Sequence, residues 1–374
     1  MALKGLGVLI LSLLGLAKAG LSLNIPSGNR HIVSQQPLSN PTISPALFSE
    51  LERLSRVVDI SYCIGNSGLG EPFNCISRCD EFPTFSLITA WNTGVLMSDS
   101  CGYIAVDHGA ERPAEGSDDI ADANHTIMVA FRGTYSITNT VVDLGTVPQE
   151  YVPYPSPENG TGNPHPVCTN CTVHMGFMSS WETTRTVVVP KLLTLREKYP
   201  NSPIHLVGHS LGGALACLAA LELKLAFGWD NLVVTTFGEP RVGNGQFAKF
   251  IDSVFDLEEG DAQPDHRPYR RVTHANDPVP LLPLTEWGYS SHAGEIFISK
   301  ASLSPAERDV RHCHGDDDPN CIADSDPYSR YKLWELFFAH RDYFWRLGLC
   351  IPGGDPTNWG RGPIGTSKVV VDEL

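Results

Sequence analysis

Short apolar runs, separated by polar or turn-forming residues, recur along the chain, and each predicts a strand. They lie at Gly102–Asp107, Thr126–Phe131, Ile204–Val207 and Leu232–Phe237, and a fifth strand is predicted at Tyr269–Thr273, which includes two arginines. Short runs that are apolar throughout are typical of strands covered on both faces of a sheet. The pattern therefore predicts a largely buried central sheet.

Longer stretches with apolar residues at helical spacing lie between these runs. They predict helices near Gly176–Tyr199, Leu211–Phe227 and Gly245–Phe255. Another helix is predicted to begin after Ser44, which suits an N-cap followed by Pro45, with one apolar stripe at Leu47, Leu51, Leu54 and Val58. Because strands and helices alternate, the fold class is α/β, with a mostly parallel central sheet flanked by helices.

The first residues have the features of a secretory signal peptide. Residues 1–19 contain a positive charge at Lys4, an apolar segment at Gly5–Ala17 and a small-residue cleavage site at Ala17–Ala19. The apolar segment is too short to span a bilayer, and no later segment is both long and uncharged enough. We therefore expect a secreted protein without a transmembrane segment.

A single domain is expected between two less regular segments. Residues 20–43 are rich in Ser, Pro, Asn and Gln, as in a flexible leader or pro-segment, and residues 44–352 would form the α/β domain. Residues 353–374 would be a Gly/Pro-rich C-terminal tail. The tail ends in Val371–Leu374, which resembles an ER-retention signal and leaves the ER lumen as the alternative location.

Charge and cysteine content narrow the class of protein. The chain has 374 residues, 42% of them hydrophobic, which is enough for one large core. Its net charge is −15 without a basic cluster, which argues against nucleic acid as a partner. Ten cysteines indicate an oxidising compartment, and three glycosylation sequons, at Asn124, Asn159 and Asn170, agree with export.

Candidate chemistry begins at Gly208–Gly212, a G-x-S-x-G turn between a predicted strand and a predicted helix. The glycines let two backbones approach closely, and the turn would lift the Ser210 hydroxyl clear of the sheet at a helix N-terminus. A serine in this context is typical of a nucleophile. We therefore predict that Ser210 is the nucleophile of an acyl transfer.

A serine nucleophile needs a base, and the base needs an orienting carboxylate. In α/β-hydrolases these groups follow in the order Ser, Asp or Glu, and His, on loops after strands. Asp277 follows the predicted strand Tyr269–Thr273 and is predicted to be the carboxylate. His340 comes last, in an aromatic-rich segment, and is predicted to be the base, with His292 as the alternative.

An acyl transfer also needs donors for the developing oxyanion. The backbone N–H of Leu211, directly after the nucleophile, would be one donor. The other should lie on a loop after an early strand, where Thr134 offers both a backbone N–H and a hydroxyl. This chemistry requires no metal and no cofactor.

Five motifs follow one another along the chain: Phe131–Thr134, His174–Phe177, Gly208–Gly213, Phe237–Asn244 and Asn276–Pro280. Together they resemble the fungal class 3 lipases, a family of secreted α/β-hydrolases that includes triacylglycerol lipases and feruloyl esterases. The resemblance runs from about Leu47 to Cys350. It implies the same triad and the same oxyanion donors, and it implies a short helical lid.

The lid would follow the oxyanion residue, with Ile137, Val141 and Leu144 on one apolar face. Such a face could cover the site in water and turn outward on lipid. Thr140 stands where lids of the family commonly carry tryptophan, which weakens the case for strong interfacial activation. The alternative is an ordinary surface helix that stays packed on the core.

The resemblance also implies a set of disulfides. Cys101 and Cys217 would be left over, and Cys217 is expected to be a buried thiol within an Ala/Leu-rich helix. The implied pairs are Cys63–Cys350, Cys75–Cys79, Cys168–Cys171 and Cys313–Cys321.

The resulting hypothesis is a secreted serine esterase that hydrolyses glycerolipid esters through an acyl-enzyme, as a triacylglycerol lipase does. It would act as a monomer at a transient lipid–water interface. A feruloyl-type or other soluble carboxylesterase is the alternative, and a catalytically inactive lipid-binding relative is a further one. Asp316–Asn320 begins like a calcium-binding loop, but Cys321 replaces the turn glycine, so we predict no metal site there.

Overall fold

The structure is a computed structural model that describes most of the chain between residues 41 and 359. The predicted signal peptide, the lid residues Ile137, Val141 and Leu144, and the sequons at Asn124 and Asn159 lie outside the described residues. The described residues are 41–65, 67–94, 100–109, 125–134, 148–151, 167–257, 263–324 and 338–359.

The described helices begin and end at residues that suit helix termini. The Ser44 side chain accepts a hydrogen bond from the Leu47 N–H and Pro45 opens the first helix, as predicted. Gly228 closes the helix after Ser210 in the left-handed conformation, with φ of 67°. The helices are α1 (Pro45–Ile60), α2 (Met175–Lys198), α3 (Leu211–Phe227) and α4 (Gly245–Val254).

The strands form two sheets. In chain order they are β1 (Phe85–Asn92), β2 (Cys101–Asp107), β3 (Thr126–Phe131), β4 (Pro148–Glu150), β5 (Thr172–His174), β6 (Ile204–His209), β7 (Leu232–Phe237), β8 (Gly243–Asn244), β9 (Tyr269–His274), β10 (Tyr289–Ser290), β11 (Glu295–Ile298) and β12 (Val310–His312).

The larger sheet has the strand order β1-β2-β3-β6-β7-β9-β11-β12. Strands β3, β6, β7, β9 and β11 run parallel, and the pairs at its two edges are antiparallel. The carboxyl ends of parallel strands meet at one edge of a sheet, where α/β proteins commonly bind ligands. Thr134, Ser210 and Asp277 follow β3, β6 and β9 at that edge.

Apolar side chains cover both faces of this sheet, because neighbouring residues of a strand point to opposite sides. Val129 and Leu206 face a core that includes buried residues of α2, α3 and α4. Met128 and Val207 face a second core, to which α1 and the segment Tyr343–Leu347 contribute. The segment that follows His340 is therefore packed beside α1 on one face of the sheet.

The fold class predicted from the sequence is confirmed. All five predicted strands are present, and β6 and β9 continue further than predicted, to His209 and His274. Helix α3 has the predicted bounds, and the ends of α2 and α4 differ from prediction by one residue. Strand β1 and the four-stranded sheet β10-β8-β5-β4 were not predicted, because their sequences lack a continuous apolar run.

Described residues just outside the expected domain, residues 44–352, pack against it at both ends. At the N-terminal end, Ile43 is buried and its N–H donates to the Val310 carbonyl, so the last residues of the expected leader join the edge of the sheet. At the other end, Asp355 and Asn358 are buried and bonded to Arg341 and Arg346. The packed domain therefore extends beyond residue 352, because these polar side chains satisfy buried partners.

The four disulfides are the pairs that the family resemblance implies. They join Cys63 to Cys350, Cys75 to Cys79, Cys168 to Cys171 and Cys313 to Cys321. Cys101 and Cys217 take part in none of these disulfides, and both are buried. In the part of the chain that the structure describes, no helix has the length and apolar character needed to cross a membrane.

Candidate active site

Ser210 lies in the turn between β6 and α3 with φ of 58° and ψ of −128°, a conformation that non-glycine residues rarely adopt. Two glycines make room for the turn. A Cβ on Gly208 would lie 2.1 Å from the Gly212 carbonyl oxygen, and one on Gly212 would lie 2.3 Å from the Phe131 carbonyl oxygen. The structure therefore places Ser210 in the strand–turn–helix context that the sequence predicts.

The two predicted oxyanion donors are next to this serine. Leu211 is the first residue of α3, so its N–H has no carbonyl one turn earlier within the helix. Thr134 follows Gly133, and a Cβ on Gly133 would lie 2.8 Å from the Ser210 Cβ and 2.8 Å from the His209 carbonyl oxygen. The backbone that leads to Thr134 is therefore packed against the turn that carries Ser210.

Asp277 and His340 form a buried hydrogen-bonded pair. The His340 Nδ1 lies 3.0 and 2.9 Å from the two carboxylate oxygens, and both side chains are 0% exposed. Because a carboxylate only accepts, Nδ1 carries the hydrogen and Nε2 is left as the acceptor of the neutral ring. In the described residues, this Nε2 has no hydrogen-bond partner. The arrangement can take up a proton at Nε2 while Asp277 holds the ring.

Two further donors fix the Asp277 carboxylate. The Tyr343 hydroxyl donates to Oδ2 at 2.5 Å, and the Val279 N–H donates to Oδ1 at 2.9 Å. Burial by itself raises the pKa of Asp277, but the charge of His340 and these hydrogen bonds outweigh burial and lower the pKa below its ordinary value. Asp277 is therefore held as a carboxylate, the form that stabilises an imidazolium.

His209 packs against the ring of His340. The two ring centroids are 4.6 Å apart with an interplanar angle of 29°. The His209 Nε2 donates to the His340 carbonyl oxygen at 2.8 Å, and its Nδ1 lies 2.5 Å from the Tyr62 hydroxyl. Burial, with the nearby charge of His340 as the next cause, lowers the pKa of His209 to about 3. His209 is therefore a neutral side chain that supports the backbone of His340.

Ser210 and the Asp277–His340 pair both lie at the end of β7. The Ser210 N–H donates to the Phe237 carbonyl at 2.9 Å, and the next residue, Gly238, packs against both His340 and Asp277. The structure thus brings Ser210, Asp277 and His340 to the same strand end, although they lie far apart in the chain.

His292, the alternative base, lies in a different buried cluster. Its Nε2 is 3.2 Å from Glu239 Oε1, and its Nδ1 is 2.8 Å from the Ala293 carbonyl oxygen. Among the described residues, the hydrogen bonds of His292 go to Glu239 and Ala293 and not to Ser210 or Asp277, so the geometry favours His340 as the base.

The described residues contain one group of potential metal ligands that lie close together. Glu295, Cys313 and Cys321 offer ligand atoms within 4.8 Å of one another, but the two cysteines form a disulfide and cannot bind metal as thiolates. In the acidic loop, the Asp318 carboxylate accepts from the backbone N–H groups of His314 and Asn320 and so closes a turn. Neither group has the character of a metal site.

Sequence reasoning missed four residues of this site: Tyr62, His209, Gly238 and Tyr343. Tyr343 stands three positions after His340 in the aromatic segment, and His209 precedes the nucleophile, so both were visible as neighbours of predicted residues. Tyr62 reaches the site from the end of α1, and only the packing of α1 on the sheet could reveal it.

The fold and the position of Ser210 define an α/β-hydrolase. Residues 128–287 match the family described as Lipase (class 3). The chain is 56% identical to secreted mono- and diacylglycerol lipase 2 of Gibberella zeae, over 93% of each chain. It is 59% identical to lipase A of Sodiomyces alcalophilus, over 85% of this chain and 86% of that one. The chain belongs to the class 3 lipase family.

Solved structures agree with this assignment. Lip2 lipase of Yarrowia lipolytica is 29% identical, with a TM-score of 0.70 over 84% of this chain and 98% of that chain. A triacylglycerol lipase whose catalytic centre is described as a serine protease triad is 28% identical, with a TM-score of 0.62 over 83% of this chain and 100% of that chain. The predicted enzyme class, a carboxylic ester hydrolase of the lipase type, is confirmed.

Proposed function

We propose that Ser210, Asp277 and His340 are the catalytic triad of this lipase, with Leu211 and Thr134 as the oxyanion donors. The buried Asp277–His340 pair carries the proposal, because it leaves the second ring nitrogen of His340 available at the strand end that also holds Ser210. The similar triacylglycerol lipase described as having a serine protease triad supports it.

In this mechanism, the Ser210 Oγ attacks the ester carbonyl carbon while His340 Nε2 takes its proton. The backbone N–H groups of Leu211 and Thr134 would hold the oxyanion of the tetrahedral intermediate. Its collapse breaks the bond to the alcohol, which leaves with the proton from His340. Water then attacks the acyl-enzyme by the same route and releases the acid, and no group other than the protein and water takes part.

The substrate that we propose is a glycerolipid ester with one or two acyl chains. The relative from Gibberella zeae is named a mono- and diacylglycerol lipase, and its similarity covers 93% of this chain. Triacylglycerol is the second candidate, because the similar structure with a serine protease triad belongs to a triacylglycerol lipase. A soluble carboxylester remains the alternative outside the lipases.

We further propose that the chain acts outside the cell, as a monomer, at a lipid–water interface. The relative from Gibberella zeae is named a secreted lipase, which supports export. The lid expected at Ile137, Val141 and Leu144 stays a prediction. Hydrolysis of tributyrin below and above its solubility limit tests it: a sharp rise above the limit supports a lid, and a smooth saturation curve argues against one.

The triad is tested by labelling and by a matched pair of histidine variants. An alkyl phosphonate ester should label Ser210 of the folded enzyme, as found by mass spectrometry, and Ser210→Ala should prevent both labelling and turnover. His340→Gln should lower kcat by about 10³-fold or more. His292→Gln, the matched control, should keep kcat within about tenfold. Loss of turnover in the His292 variant alone would reverse the assignment.

The substrate is tested by comparing emulsions of monoolein, diolein and triolein with soluble ethyl ferulate. We expect kcat/KM to be higher for monoolein and diolein than for triolein, and turnover of ethyl ferulate to be the slowest. Faster hydrolysis of triolein would favour the triacylglycerol lipase, and faster hydrolysis of ethyl ferulate would favour the soluble esterase.

A further inference from the structure

Arg132 follows β3 and holds two backbone carbonyls with one guanidinium group. Its Nε donates to the Gly133 carbonyl oxygen at 3.1 Å, and its Nη1 donates to the Ile64 carbonyl oxygen at 2.6 Å. An arginine is suited to this because its donors form a rigid planar fork. The guanidinium therefore fixes the Gly133 carbonyl relative to a second segment of the protein.

The carbonyl that Arg132 holds belongs to the peptide unit that supplies the Thr134 N–H. A trans peptide is planar, and its C=O and N–H point in opposite directions. A cation bound to the Gly133 oxygen therefore fixes the direction of the Thr134 N–H. It also makes that N–H a stronger donor, because hydrogen bonds along a peptide unit polarise one another and charged donors polarise most.

This peptide unit lies against the nucleophile. A Cβ on Gly133 would come 2.8 Å from the Ser210 Cβ and 2.6 Å from the Tyr62 hydroxyl, so only glycine fits there. A Cβ on Gly212, in the first turn of α3, would come 2.9 Å from the Arg132 carbonyl oxygen. The backbone from Arg132 to Thr134 is thus pressed between the turn that carries Ser210 and the end of α1.

The second carbonyl that Arg132 holds is itself firmly anchored. Ile64 follows Cys63, whose disulfide partner Cys350 lies in the same C-terminal segment as His340. Gly65 packs closely in the same place, because a Cβ there would come 3.1 Å from the Arg132 Nη1. The guanidinium therefore links the peptide between Gly133 and Thr134 to the segment around Ile64. The Cys63–Cys350 disulfide joins that segment to the C-terminal segment that contains His340.

We propose that Arg132 is a positioning residue for the oxyanion hole: it aims and polarises the Thr134 N–H without touching substrate. The proposal rests on the proposed function, since it needs an oxyanion beside Ser210. An arginine that only stabilises the fold would behave differently. Substitution of a positioning residue should weaken binding of the transition state and leave binding of the ground state unchanged.

The test uses the full-length enzyme with Arg132→Gln and Arg132→Lys. Three quantities are measured: kcat/KM on a soluble short-chain ester, inhibition by octylboronic acid, which forms a tetrahedral adduct on the nucleophile, and inhibition by 1-octanol, which does not. Arg196→Gln is the matched control. Arg196 also donates to two backbone carbonyls, those of Pro200 and Ser202, but it lies before β6, at the end of the sheet opposite to Ser210.

We expect Arg132→Gln to lower kcat/KM and octylboronic acid affinity by the same factor, about 10- to 100-fold, with 1-octanol affinity unchanged. Arg132→Lys should recover part of the loss, because an ammonium group lacks the planar fork that spans both carbonyls. Arg196→Gln should lower only the melting temperature. Unchanged octylboronic acid affinity in folded Arg132→Gln, or an equal loss in the control, would overturn the proposal for Arg132 alone.

A different result would refute the proposed function itself. Octylboronic acid should protect Ser210 of the unsubstituted enzyme from labelling by the phosphonate. If the phosphonate does not label Ser210 at all, then Ser210 is not the nucleophile, and both proposals fall together. If protection is complete and the Arg132 variants keep full activity, the triad stands and only the role of Arg132 is refuted.

Discussion

Gly238 lies so close to His340 that no side chain fits between them. A Cβ on Gly238 would come 2.8 Å from the His340 Cε1, 2.6 Å from the Tyr343 hydroxyl oxygen and 3.0 Å from the Asp277 Oδ2. These neighbours are buried and bonded to one another, so none can give way alone. Glycine at this position is therefore what lets the Asp277–His340 pair reach the end of β7.

Gly238→Ala should lower kcat by about 100-fold, because displacing the base by about 1 Å is costly for proton transfer. Gly228→Ala is the matched control. Gly228 also has a positive φ, 67° against 62° at Gly238, but a Cβ there would meet nothing within 4 Å. Both variants should lose about 1 kcal/mol of stability or more from backbone strain, and only Gly238→Ala should lose kcat. Equal kcat in the two variants would contradict this account.

The neutral state of His209 makes a prediction about pH dependence. Since burial lowers its pKa to about 3, His209 takes up no proton between about pH 5 and 8, and any ionisation of kcat/KM in that range belongs to another group. His209→Phe keeps a ring against His340 but removes the donor to its carbonyl. We expect kcat/KM to fall by about tenfold while the shape of its dependence on pH stays unchanged. A profile that becomes flat would show that His209 is the titrating group.

The backbone at Ser210 stores strain that a second pair of variants can measure. Its φ of 58° suits glycine, whereas alanine and serine are disfavoured there to a similar degree. Ser210→Ala should therefore leave the free energy of unfolding nearly unchanged, and Ser210→Gly should raise it by about 1 kcal/mol. Both variants should be inactive. Urea unfolding checks the prediction, and a less stable Ser210→Gly would show that the turn is not strained.

The five confirmed strands and the site residues predicted at their ends share one property. Ser210 and the strands beside it lie in apolar runs whose pattern is local, so a short window of sequence reports them. Asp277 was found because it directly follows such a strand. These predictions needed neither the sheet order nor the packing of distant segments.

The residues that were missed depend on contacts between distant segments. Tyr62 reaches His209 only because α1 packs on the face of the sheet that also receives the segment after His340. Strand β1, in turn, has partly exposed positions and no continuous apolar run, and it is recognised by its pairing with β2. Contacts between residues that are far apart in the chain produce no periodic pattern in the sequence.

Asp59 is a buried acid whose ionisation works against the folded state. Its Oδ1 accepts the Gly348 N–H at 2.7 Å. Burial raises the pKa of Asp59 from 3.8 to about 6, although the Gly348 hydrogen bond and the charges of Arg78 and Arg341 oppose the rise. A raised pKa means that the folded state binds the proton more tightly than the unfolded chain. Stability is therefore lost as pH rises from about 4 to about 6, and the loss persists above that range.

Asp59→Asn should remove this loss, because an amide stays neutral and its oxygen can still accept the Gly348 N–H. At about pH 8 we expect the variant to be more stable than the unsubstituted enzyme by on the order of 3 kcal/mol, and at about pH 4 the difference should vanish. Urea unfolding at both pH values measures it. Asp230→Asn is the control, since Asp230 is 89% exposed and should change stability little at either pH. A less stable Asp59→Asn at pH 8 would mean that the carboxylate stabilises the neighbouring arginines more than burial penalises it.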